Sequence, residues 1–294
     1  MAVPTIAQPS GQVLHLGRIR PLAAYDYGPF HVVITSNGKK VMPRLGAFYN
    51  SGADNAPPPD AVDWFPKALP SISQMYGNDQ QGDCVIASAM HQVGIWTGND
   101  TDSGGCAVGT TQEALSQYHA ICGAGDNGCN ITDVLDATKA GRIKVGGKVH
   151  RIDDYVAVDW TNKMMVKVAI DVFGTIKTGV NLPSAWGGGN DGDTWDVTSS
   201  RIVGGHDIPA GAYNDQGVTI ATWAGRRLVT WPAFQSRKWF EEAYAVLSPD
   251  WYNQDNLAPN GINVAGLRAA LEAIRNGQVP DVPTPPGAII DWMA

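Results

Sequence analysis

The sequence predicts an α+β chain in which a run of helices precedes a sheet. Three observations carry this. Between residues 84 and 140 apolar residues recur at the three-to-four spacing of helices. From residue 144 onward the period shortens towards two, in segments rich in Val, Ile, Thr and aromatic residues. Helices followed by strands, rather than strict alternation of the two, is the pattern of segregated layers.

In the first 58 residues, residues 30–35 (FHVVIT), an Asn37-Gly38 turn and residues 39–42 read as a β-hairpin. This stretch ends in SGADNAPPPD, a linker, because consecutive prolines have no amide hydrogen to donate and favour an extended path. The predicted organisation is thus an N-terminal extension over residues 1–58, a main domain over 59–250 and a tail over 251–294. In the main domain, residues 84–96 (CVIASAMHQVGIW), 111–122 and 131–140 read as helices, the last opened by an Asn130/Thr132 cap and stopped at Gly141. Residues 144–149, 155–159, 175–180, 217–223 and 227–231 read as strands, with short helices expected over 166–173 and 238–244 and a strand at 245–247. The tail carries a helix over 263–276, capped by Asn263 and stopped by Gly277, and then the Pro-rich QVPDVPTPPG. No repeat of solenoid period occurs.

With 294 residues, the chain buries a sizeable core without needing disulfides to fold. Lys plus Arg number 21 against 28 Asp plus Glu, a net charge of −7, and the cations form no cluster, which argues against a nucleic-acid partner. The N-terminus has no basic stretch leading into an apolar run, and no segment approaches the roughly 20 apolar residues of a membrane span; the expectation is cytoplasmic synthesis without Sec export and no membrane partner. Of the four cysteines, Cys106, Cys122 and Cys129 share a Gly/Asp-rich segment in which one pair is sterically conceivable, though spacing does not fix which. No CxxC pair or HExxH occurs, and the Asp-rich loop GGGNDGDTWD lacks the glycine and the closing glutamate of an EF-hand, so neither a metal nor another cofactor is expected.

Cys84 opens a predicted helix, where the helix dipole and free amides favour a thiolate; Gly82-Asp83 before it supplies a turn and a cap, and Ala87, Ser88 and Ala89 allow close packing. By composition alone such a cysteine is more often a small buried hydrophobe. His206, in VGGHDI, is the imidazole a thiolate needs, distant in sequence as such partners usually are. His91, seven residues after Cys84 on the same helix face, reads as packing, as do the seven tryptophans between Trp160 and Trp251.

The stretches Ala61-Val62-Asp63-Trp64 and Asn78-Asp79-Gln80-Gln81-Gly82-Asp83-Cys84 resemble the start of a papain-like cysteine peptidase domain, and Gly-Asp-Cys resembles the calpain version of that site. Gly204-Gly205-His206, VTIATW at 218–223 and FGTIKTGVNL at 173–182 resemble the family's later segments, in the same order. The resemblance spans residues 61–248, roughly two thirds of the chain. It implies a papain-like α+β fold, a helical half packed against an antiparallel β-sheet half, here with the N-terminal β-hairpin extension. It also implies roles: Cys84 as nucleophile and His206 as its base and acid. The family's oxyanion glutamine, six residues before the nucleophile, is Asn78 here, with Gln80 and Gln81 close by. The family's orienting asparagine falls on Ala221, leaving Thr222, Asp207 or Asn214 to support the imidazole.

Two functions follow from this reading. One is a cysteine peptidase or amidase acting on a polypeptide through Cys84 and His206, with Asn78 or Gln80 at the oxyanion. Asp83, Asp207 and Asp215 would tilt it towards cationic or neutral substrates. The other is a papain-like domain whose catalysis is lost through Ala221 and which serves as a structural or interaction protein, built into a larger assembly such as a virus particle. In the first, residues 1–58 lie over the cleft like a propeptide; in the second, they project as an assembly arm.

Overall fold

The computed structural model describes residues 3–7, 12–19, 57–100 and 102–265. The hairpin expected at 30–42, most of the proline linker and all but the start of the C-terminal helix lie outside the described residues.

The helical half is assembled on α2 (Cys84–Asn99), which follows the short α1 (Leu69–Ile72). Every residue of α2 except Gly98 is buried, because the helix is apolar all round and runs through the middle of the domain. Its two late glycines are steric requirements: a Cβ at position 94 would overlap Ser71, and one at position 98 would stand 2.7 Å from the Lys67 carbonyl oxygen. The polar groups at its end are satisfied, with Trp96 Nε1 donating to Phe173 O (2.9 Å) and Asn99 Nδ2 to Trp64 O (2.8 Å). Around it lie α3 (Thr111–Cys122) and α4 (Ile131–Lys139), joined by a Cys122–Cys129 disulfide. Thr110 caps α3 by accepting from Glu113 N at 3.1 Å. The cap expected on α4 takes another form: Asn130 stands at the N-cap, but its side-chain amide donates to Asp133 instead of its oxygen receiving a helix amide.

In the sheet half, β6 (Asp154–Ala157), β7 (Ile176–Pro183), β8 (Thr194–Trp195), β9 (Ile202–Tyr213), β10 (Gly217–Thr222), β11 (Gly225–Thr230) and β12 (Phe240–Leu247) run in the order β6-β12-β7-β9-β10-β11-β8, and β3 (Val62–Asp63) adds to β9. All pairs are antiparallel except β11 with β8. The α5 helix (Lys163–Phe173) leads into β7, all eight residues of which are buried. The four-residue α6 (Trp231–Phe234) follows β11.

Two expectations are corrected here. Residues 238–244 are not a helix, since Phe240 begins β12. The run FEEAYAVL holds helix-favouring Glu and Ala, but β12 pairs with β6 on one side and β7 on the other, and that pairing outweighs local propensity. Residues 144–149 are not one strand either. Gly146 and Gly147, with φ of 61° and 78°, fold them into a hairpin of β4 (Ile143–Val145) and β5 (Lys148–His150).

The described N-terminal residues form a strap. β1 (Thr5–Ala7) pairs with β2 (Val13–His15), and the chain then runs on through Ile19 along the seam between the two halves, with Leu14 and Leu16 fully buried. No described helix is long and apolar enough to cross a membrane.

Candidate active site

Three predicted site residues arrive from separate elements and line one small cavity at the seam: Asn78 from the loop before α2, Cys84 from the first turn of α2 and His206 from β9. Gln80 is not with them. It is exposed in the loop, outside the cavity lining. Asp83 sits at the N-cap of α2, but its side chain makes no cap bond; burial instead raises its carboxyl well above the usual range.

The imidazole is held on two sides. His206 Nε2 lies 2.8 Å from Thr222 Oγ1, so the support missing at Ala221 comes from the next residue, while Nδ1 has no hydrogen-bond partner among the described residues. Of the other substitutes considered, Asn214 instead accepts the amides of Gln216 and Gly217 at the far end of β10, and Asp207 faces Lys177. The indole of Trp223 stacks on the imidazole at 4.7 Å and 21°. It reaches that position through the β10–β11 turn, where Trp223 and Ala224 have φ of 48° and 57°. Two left-handed residues are what a tight hairpin demands, but Asn-Gly is the usual choice; two side-chain-bearing residues there store on the order of 1–3 kcal/mol each of backbone strain.

Trp223 also fixes the Asn78 amide. An indole N–H can only donate, so its 3.0 Å contact identifies Asn78 Oδ1 as acceptor and directs Nδ2 the other way. There Nδ2 donates to the His15 carbonyl at 3.0 Å, and His15 N returns a bond to Asn78 O at 3.1 Å. The candidate oxyanion donor therefore already holds a peptide carbonyl, one belonging to the strap.

Beyond His15 the strap continues over the sulfur. Arg18 N donates to Gly205 O (3.1 Å), Cys129 N to Gly17 O (2.7 Å) and Ile19 N to Cys129 O (2.9 Å), so both halves grip the same segment. Gly17 passes where no side chain fits, since a Cβ there would overlap the Gly82 carbonyl, and one at Gly128 would overlap the Gly17 carbonyl. The backbone amides of Asp207 and Gly17 lie near enough to the Cys84 sulfur to favour its thiolate, against the larger opposing effect of burial. The strap thus offers the sulfur an N–H rather than a carbonyl carbon.

Under this cover both reactive groups are neutral. Burial, with the nearby Asp207 charge, pushes the Cys84 thiol up to about 12. Burial and the Arg18 guanidinium push His206 down to about 3. Below the site Lys177, fully buried in β7, bonds Asp207 Oδ2 at 2.7 Å and Val85 O at 2.9 Å, bolting β7 and β9 to α2; burial raises Asp207 to about 6 against the pull of that lysine. Asp215, expected to colour the site with negative charge, is exposed in the turn beyond the other end of β10. His91 lines the cavity and packs on Tyr76, ring centres 4.8 Å apart. No group of metal-binding side chains occurs among the described residues, and in the Asp-rich loop Asp191 pairs with Arg226 while Asp196 accepts from Thr230.

Sequence reasoning missed Lys177 and the Gly17–Arg18 contact. A lone lysine inside the apolar run FGTIKTGVNL was a legible sign of a buried ion pair. Nothing local marked the strap.

A helical half and an antiparallel-rich sheet half, with Cys84 and His206 lining one cavity at their seam, make up the papain-like fold. Solved structures agree: the chain is similar to xylellain, a cysteine protease from Xylella fastidiosa, with 14% identity over 79% of this chain and 95% of that one and a TM-score of 0.54. It is likewise similar to the Amb a 11 cysteine protease of ragweed pollen in its proform, with 15% identity over 69% of this chain and 70% of that one and a TM-score of 0.52. No family model and no curated protein matches the chain.

Proposed function

We propose that the chain is a cysteine peptidase held inactive by its own N-terminal strap. One observation carries this reading: the cleft holds an extended peptide, with a carbonyl on Asn78 Nδ2 and an N–H on Gly205 O, the residue before His206. The fold is shared with cysteine proteases, one of them captured as a proform. With the strap out, water reaches Cys84 and His206 and the Arg18 charge leaves the imidazole. Both shifts then relax, and the thiol proton passes to His206 Nδ1. The thiolate attacks the substrate carbonyl carbon, and the oxyanion is held by Asn78 Nδ2 and the Cys84 amide at the head of α2. The imidazolium gives its proton to the leaving amine, and water then hydrolyses the thioester, with His206 as base.

Ala221 was the ground for a catalytically silent structural protein, and the Thr222 hydroxyl at His206 Nε2 weakens that ground. The test is peptide hydrolysis by Gly17→Trp in the full chain, where the indole cannot fit beneath Gly82 and the strap must lift. Hydrolysis should appear in Gly17→Trp and vanish in Gly17→Trp/Cys84→Ala. A folded Gly17→Trp protein with an accessible thiol and no hydrolysis of a mixed peptide library would favour the interaction-protein reading.

A further inference from the structure

The strap does more than cover the sulfur; its Arg18 side chain fills a pocket of its own. The guanidinium is fully enclosed, with NH1 donating to Glu242 Oε1 (2.6 Å) and NH2 to Glu241 Oε2 (2.8 Å) and Asn181 Oδ1 (3.2 Å). The pocket is built by the sheet. On neighbouring strands Glu242, Gly179 and Asp207 stand in register, and the missing side chain at Gly179 leaves the trough in which Arg18 lies. A Cβ at Gly179 would come within 2.6 Å of Glu242 Cγ and 3.0 Å of Arg18 Cδ. Glu242 is itself fixed, its second oxygen accepting from Tyr244 OH at 2.8 Å.

We infer that this pocket is a specificity subsite for the guanidinium of an arginine in the substrate, which Arg18 occupies only while the strap is in place. The inference rests on the cysteine-peptidase reading above. The strap is a separate segment lying in the cleft, so its departure vacates the trough. Glu242 would then face the vacated trough without its counter-ion, beside Glu241, and two adjacent carboxylates at the foot of a trough favour recapture of a cation. A planar fork is what two carboxylates and an amide oxygen at these positions match; a lysine ammonium meets them as a point charge and is the poorer occupant. Because Arg18 N bonds Gly205 O, next to His206, the pocket serves a residue one or two positions from the scissile carbonyl, on the Cys129 side of the cleft.

The experiment uses the full chain carrying Gly17→Trp/Arg18→Ala, which lifts the strap and removes the internal competitor. Peptide pairs differing only in arginine or citrulline at one position are compared by kcat/KM. At one position near the scissile bond arginine should be preferred by at least about 10-fold, and Glu242→Gln or Gly179→Val should erase that preference. A second readout needs no catalysis. In the same variant with Cys84→Ala, a labelled peptide of residues 12–19 should bind at least about 10-fold more tightly than its citrulline form. Hydrolysis without an arginine preference, or equal binding of the two peptides, overturns the subsite while leaving the peptidase intact. Tighter arginine binding with no hydrolysis of any peptide keeps the pocket and overturns the peptidase.

Discussion

Thr222 bears on His206 through a single hydroxyl, and the imidazole's tautomer and tilt depend on that contact and on the Trp223 ring. In the Gly17→Trp background, Thr222→Ala should lower kcat/KM between about 10- and 100-fold, the worth of a hydrogen bond to a group that becomes charged in the reaction, and Thr222→Ser should restore most of it. Equal activity in all three proteins would place the orienting role elsewhere. That Cys84, His206 and Asn78 meet in one cavity was legible because residue types at ordered spacings pointed to them together. Thr222 was one of three candidates, since which polar neighbour reaches a ring nitrogen depends on strand register and not on sequence distance. His91 offers a different test. An unfolded chain binds a proton on this histidine below about 6.5, whereas burial holds the folded one down to about 3, so acid favours unfolding. Compared with His91→Met by urea denaturation, the wild type should lose about 1.4 kcal/mol for each pH unit below 6.5, and their difference should be constant above pH 7. A difference that ignores pH would mean His91 takes its proton normally in the folded protein.

At the scale of elements, the long helices were readable because burial leaves its period in the sequence: α2 and α3 begin where predicted, and β7, β10 and β11 fall on their predicted runs. Strand β12 was readable only at its end, residues 245–247, because the identity of its first part is set by the partners on either side of it. The Cys122–Cys129 link, one of the conceivable pairs, has a mechanical role beyond closing its short loop. It anchors the Cys129 backbone, whose N–H and C=O both hold the strap. Cys122→Ser/Cys129→Ser should cost about 2.5 kcal/mol in stability for a loop of this size. It should also raise the rate of Cys84 modification at neutral pH severalfold, read by mass spectrometry of the alkylated peptide. Lost stability with unchanged Cys84 protection would show that the strap does not depend on this anchor.

For the whole molecule, the strap, the Cys84 and His206 side chains and the Arg18 pocket form one arrangement: the segment that covers the sulfur keeps its thiol protonated through burial, and its Arg18 charge helps keep His206 neutral. Little of this was legible beforehand, since contacts between residues 15–18 and the far end of the chain leave no local pattern. The most direct measurement is the rate of Cys84 alkylation by iodoacetamide from pH 4 to 9, with Cys106→Ser in every protein. The wild type should react slowly throughout, as a thiol at about 12 requires. Gly17→Trp should react fast well below the free-thiol value of about 8.5, and His206→Ala added to it should abolish that advantage. A Gly17→Trp protein whose sulfur titrates as an ordinary thiol, indifferent to His206, would contradict the account.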